Sequence, residues 1–156
     1  GEYLKTSAES SEKLFKTLIK TTCSQLVYYA NSFDRLTIKE NQAKANFYCN
    51  KESLQPIFKL YKEEKSYHEA LERGVIYKCE LEEVTLIGSE EPYNVVFSSI
   101  LTIIDKESKV KFRIMSSGTI IKTSPQYPEN ITGFFFTKYE QSIKEIEEQN
   151  ENDLEE

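Results

Sequence analysis

The chain has no tryptophan, one methionine and one histidine in 156 residues. With His68 the only imidazole, any Ser-His or Cys-His nucleophile would have to use it. It stands beside Glu69 where a short helix is expected to start, a setting that suits a surface role. The HExxH, P-loop and GxGxxG patterns are absent. The five glycines are isolated, so no loop can cradle a phosphate, and no cofactor or metal is called for. There is no CxxC, and Cys23, Cys49 and Cys79 are too sparse for a thiolate metal site or a disulfide scaffold. They read as small buried hydrophobes, with one disulfide plus a free thiol left open for an oxidising compartment. No apolar run approaches about 18 residues, so nothing in the chain is long enough to span a bilayer. No signal-peptide pattern opens it.

A basic cluster is missing too. The formal net charge is −6, and residues 144–156 carry all of it, with seven acids against one lysine. The remaining 19 acids and 19 bases cancel. A neutral body without a Lys/Arg patch argues against phosphate-driven nucleic-acid binding. Gly1 in place of an initiator methionine suggests a piece of a longer protein, from which an anchor or targeting segment is missing. The expected division is a lead-in at 1–9, a single domain at 10–142, and an acidic, disordered tail at 143–156.

What is present has a clear order. From about Ser10 the apolar positions Leu14, Phe15, Leu18, Ile19, Thr22, Leu26, Tyr29, Ala30 and Phe33 follow helical spacing. Thr37-x-x-Glu40 has the form of a capping box and should open a second short helix. A third starts at Asn50 or Ser53, with Pro56 in its first turn. Ser66-x-x-Glu69, a second capping box, opens a fourth helix that stops at Gly74. The period then changes to two: Val75, Tyr77, Cys79 and Leu81 share a face. The phase slips to Val84 and Leu86, which predicts a bulge near Glu82–Glu83. Strands through Tyr93–Ile103 and Val110–Ile120 follow, joined by a hairpin at Asp105–Ser108. Ser116-Ser117-Gly118-Thr119 marks a close approach by another part of the chain. Helices first and hairpin-linked strands afterwards give an α+β fold, N-terminal helices on a curved four-stranded antiparallel sheet, nuclear-transport-factor-two-like.

The last strand carries the most distinctive stretch. A loop containing Pro125 and Pro128 leads to Asn130-Ile131-Thr132-Gly133, then Phe134-Phe135-Phe136-Thr137-Lys138-Tyr139. Gly133 allows a bend as the strand begins. Asn130-Ile131-Thr132 also fits the glycosylation sequon, a match too short to carry weight. The stretch resembles the Asn-Pro-x-Gly-Phe motif, followed a few residues on by Tyr, of one known family. That family is the periplasmic domain of the bitopic inner-membrane subunit of bacterial type IV secretion systems, the eighth component of the Vir-type apparatus. Asn130, Gly133, Phe134 and Tyr139 match, and Ile131 stands where the family has proline, as in a diverged paralogue.

The resemblance implies a non-enzymatic assembly scaffold on the periplasmic side of the inner membrane, anchored through a segment absent from this chain. It implies weak homodimerisation and contacts with other inner-membrane and channel subunits. It places an interaction surface at Asn130, Thr132, Gly133 and Phe134, and a groove near Tyr139. The alternative is a small-ligand binder or pocket enzyme of the same architecture, using an acid with a tyrosine. Glu82-Glu83 and Glu90-Glu91 are the paired acids available, and they read as solvated faces.

Overall fold

Helix α1 (Glu2–Asn31) spans 30 residues and is the longest element. Its inward stripe is Ile19, Cys23, Leu26, Val27 and Ala30, all buried, recurring at the three-to-four-residue interval that keeps side chains on one helix face. Three shorter helices follow: α2 (Ile38–Ala45), α3 (Lys51–Glu63) and α4 (Ser66–Arg73). The strands are β1 (Ile76–Ile87), β2 (Tyr93–Asp105), β3 (Ser108–Lys122) and β4 (Phe134–Glu145). They form one sheet in the order β1-β2-β3-β4, every pair antiparallel. The structure is a computed structural model describing residues 2–146, with side chains from Glu9 onward. It is the α+β, nuclear-transport-factor-two-like arrangement that the sequence predicts.

The core lies between α1, α3 and the concave face of the sheet. Leu26, Leu54, Leu101, Ile114, Ile120 and Phe136 are fully enclosed there, each stabilising the fold by roughly 1.5–3 kcal/mol through apolar burial. One end is closed by an aromatic cluster. Phe33 stacks on Tyr77 at 4.4 Å and meets Tyr67 and Tyr61 edge-on at 4.7 and 5.4 Å. These offset and edge-to-face geometries are the favoured ones for aromatic rings, and they join α1, α3, α4 and β1.

The phase slip in β1 is a bulge between Leu81 and Glu83. A second irregularity falls between Thr119 and Ile120, where β3 pairs with β4. Bulges bend a strand and increase its twist, so the sheet curves around the helices. Gly118 shows why Ser116–Thr119 is small. A Cβ placed there would lie 2.6 Å from the Phe136 ring and 2.7 Å from the Lys138 carbonyl oxygen.

Several local expectations are corrected. The long helix begins at Glu2, not Ser10, so residues 2–9, expected as a lead-in, are helical. Neither capping box forms. The Thr37 hydroxyl bonds Asp34 Oδ1 at 2.9 Å and accepts from the Asp34 N–H at 3.0 Å, while Asp34 Oδ1 also accepts from the Leu36 N–H. The local Asp turn therefore takes the group that would have capped α2. Lys65, with φ 63°, occupies the N-cap position of α4. Ser66 is already the first helical residue. Pro56 sits inside α3, beyond its first turn. Strand β4 runs on to Glu145, so the boundary set for the acidic tail falls within it, and residues 147–156 lie outside the described residues.

Candidate interaction site and adjoining groove

Asn130 is polar, yet only 3% exposed, so its amide must find partners inside the fold. It finds them in both directions. Its Oδ1 accepts from the Thr132 N–H at 3.2 Å, the Gly133 N–H at 3.2 Å and the Thr132 hydroxyl at 2.9 Å. Its Nδ2 donates to the carbonyls of Phe134 at 2.8 Å and Phe47 at 2.9 Å. One side chain thus closes its own turn and ties it to the segment between α2 and α3. The Thr22 hydroxyl donates to Thr132 Oγ1 at 2.9 Å, which fixes the turn to α1.

Gly133 has φ +74°, in the left-handed region that L side chains rarely adopt. A Cβ there would also stand 3.0 Å from Pro125 Cγ. The next residue, Phe134, is buried and meets Phe15 and Tyr93 at 5.7 and 6.3 Å. Ile131 forms the tip and is 59% exposed. Tyr127, in the loop that the Gln126–Asn130 backbone pair closes, is 87% exposed, and Phe47, whose carbonyl accepts from Asn130 Nδ2, is 39% exposed. A rigid, internally bonded turn therefore presents a small apolar surface.

The structure brings Asn130, Thr132, Gly133 and Phe134 together and places Tyr139 apart. Tyr139 lies farther along β4, buried, with its hydroxyl 2.8 Å from both Ser116 Oγ and Gln141 Oε1. Gln141 Nε2 donates to Asn31 Oδ1 at 2.7 Å, and Tyr61 donates to the same oxygen at 2.6 Å. This chain of side chains joins α1, α3, β3 and β4. Burial pushes the Tyr61 and Tyr139 hydroxyls well above the usual phenol range, so both stay protonated as donors. Neither Asn31, Tyr61 nor Gln141 stands out in the sequence. The only signal is that Asn31 continues the buried stripe of α1 by one turn.

The network ends at a groove of about 1070 Å³ between α3 and β4. Its floor is apolar, from Ile57, Leu60, Leu101, Ile103 and Phe112, and Glu52, Glu64 and Glu145 lie along it. Glu82 lies elsewhere, on the outer face. Arg113 grips it through two hydrogen bonds of 3.0 and 3.1 Å and, with Ser98, holds its carboxyl below the usual range. Glu90 and Glu91 are exposed at the β1–β2 turn. Among the described residues, no group of three His, Cys, Asp or Glu side chains converges as a metal site. No helix there is long and apolar enough to cross a membrane.

No family profile matches the chain, and no curated protein sequence does either. Solved structures do. An IcmL-like type IV secretion system protein from Legionella pneumophila superposes with a TM-score of 0.65 at 12% identity, over 85% of this chain and 95% of the other. VirB8 of Agrobacterium tumefaciens gives 0.64 at 12% identity, over 85% and 94%. The periplasmic domain of DotI gives 0.60 at 7% identity, over 80% and 92%. The fold is that of the VirB8-type periplasmic domains. The VirB8-type likeness extends over nearly the whole length of each of these chains, so it is a likeness of complete domains and not of a shared fragment.

Proposed function

We propose that this chain is the periplasmic part of an inner-membrane assembly subunit of a type IV secretion system. It acts as a scaffold through protein–protein contacts and weak homodimerisation, without catalysis. Its anchor is a membrane segment outside this chain, and its partners are other inner-membrane and channel subunits. The observation that carries the reading is the Asn130 turn. In a VirB8-type fold, a buried amide spends all its hydrogen bonds on a turn that presents Ile131, with Tyr127 and Phe47 on the segments bonded to it. Small aromatic and aliphatic anchors on a rigid support are what a modest, reversible interface needs. The neutral body sets up no strong self-repulsion. The apolar groove floor, and two tyrosines whose hydroxyls are held by Asn31, Gln141 and Ser116, favour a contact role over acid–base chemistry.

The test is the topology of the full-length protein in its native membrane. Protease access to this domain from the periplasmic side, with the protein in the membrane fraction, is the expected result. A soluble cytoplasmic protein would overturn the assignment. Sedimentation of the isolated domain should show concentration-dependent dimers that Ile131→Asp weakens while the thermal midpoint stays unchanged.

A further inference from the structure

The sheet has two outer edges, β1 and β4. Each is shut for part of its length by a single-residue bridge, Phe33 on Tyr77 and Cys49 on Phe136. On β4 the cover is well defined. The Phe136 N–H donates to the Tyr48 carbonyl at 2.8 Å, the Asn50 N–H donates to the Phe136 carbonyl at 3.2 Å, and the Tyr139 N–H donates to Ser53 Oγ at 3.1 Å. There the cover ends, because α3 leads away from the strand. Alternation along an antiparallel strand puts the backbone groups of Gln141, Ile143 and Glu145 on the same side as those of Tyr139, away from β3. Among the described residues nothing bonds them. This stretch of about 15 Å of unpaired edge, at about 3.3 Å per residue, faces the groove between α3 and β4.

We propose that the groove receives an extended segment of a partner protein, which adds as a new strand to β4 along Gln141–Glu145. In this mode, main-chain hydrogen bonds supply affinity and the pockets that take alternate side chains supply specificity. Leu60 of α3 and Ile143 of β4, both lining the groove, take every second residue and select aliphatic ones. Charge selects the flanks. Glu52, Glu64 and Glu145 line the groove, and its one basic residue, Lys138, is exposed on the opposite face of β4. The segment therefore alternates aliphatic with small polar residues and carries Lys or Arg at its ends. The same acids oppose the acidic stretch 147–156 of this chain as the occupant. The inference rests on the contact-making reading above and names the partner chemistry of one site.

The test uses the 156-residue chain and a fluorescein-labelled peptide, Lys-Thr-Val-Thr-Val-Thr-Val-Lys. Three variants accompany it: one with Glu for both Lys, and two N-methylated on alternate amides, in opposite phases. Strand addition predicts that the basic peptide binds and that one N-methyl phase weakens it about tenfold or more, the loss of one to two backbone hydrogen bonds. The other phase should bind as the parent does, and the Glu variant about tenfold more weakly. Amide exchange at Gln141, Ile143 and Glu145 should slow on binding. Equal binding of both methylated phases would show that the groove takes apolar side chains without pairing to β4. Equal binding of the Glu variant, or no binding of the basic peptide, would also overturn the proposal. None of these outcomes alters the membrane-topology result, so the two readings fail separately.

Discussion

Asn130 makes five side-chain hydrogen bonds in the interior, and removing it should show. Asn130→Ala deletes both donors and the shared acceptor of the turn. It leaves buried N–H and C=O groups of Phe47, Thr132, Gly133 and Phe134 unpaired. A loss of about 2–4 kcal/mol is expected, read as a lower urea midpoint. The three cysteines give a second test. All are free and buried, and burial pushes the Cys49 and Cys79 thiols up to about 12. The folded state therefore holds protons that the unfolded chain releases from about pH 8.5 upward. Stability is unaffected below that pH and falls between it and the raised values, by about 2 kcal/mol per thiol at pH 10. Urea midpoints at about pH 8 and pH 10 should show the fall, and Cys79→Ala should make it shallower. No thiol should react with an aqueous thiol reagent until the protein unfolds. At this scale the sequence was informative about Gly133, whose positive φ follows from its place before a strand. It did not show how far Tyr139, which lines the groove, stands from the turn, because a linear motif cannot say that a bulge separates its last residue from its first four.

Among the elements, β1 to β3 and the Leu81/Glu83 bulge were legible because each strand alternates burial and exposure, and the slip shows as a change of phase. The end of β4 was not. Its inward positions Gln141 and Glu145 are polar, so the alternation that marks a strand fades although the ladder continues. The first turns of α1 were missed because residues 2–9 offer only Tyr3, Leu4 and Ala8 as apolar residues, too few to mark a stripe. The first capping box failed through competition, since Asp34 offers the Thr37 hydroxyl a nearer partner, and the second because α4 starts one residue early, with Ser66 already helical. Gly118 allows a prediction at this scale. Gly118→Ala forces a methyl group against the Phe136 ring and a backbone oxygen. Either β3 and β4 move apart or Phe136 leaves its slot. A loss of about 1–3 kcal/mol is expected, measured as a drop in thermal midpoint, with the far-UV spectrum retained.

For the molecule as a whole, the order of elements and the Asn130–Tyr139 stretch pointed to the architecture, which the structural likeness then showed at identities of 7–12%. What composition could not reveal was the groove, because it depends on where α3 leaves β4. Nor could it reveal how the two ends of the domain meet. Thr22 bonds Thr132 and Asn31 bonds Gln141, each pair 110 residues apart. That separation governs how the chain can be made. While a ribosome or a translocation channel releases it from the N-terminus, α1 emerges early and β1, which packs most heavily on it, follows, but the partners of Thr22 and Asn31 come last. The sheet lacks its last strand, and Thr22 and Asn31 lack their bonds across the core, until β4 is free. Long-range closure of this kind slows folding and exposes intermediates to aggregation. A chain ending at Pro128, which lacks β4, should bind a hydrophobic dye and fail to show a cooperative melt. The bonds that tie α1 to the end of the chain form only in the moments after the last strand appears, and quality control of the domain waits on them.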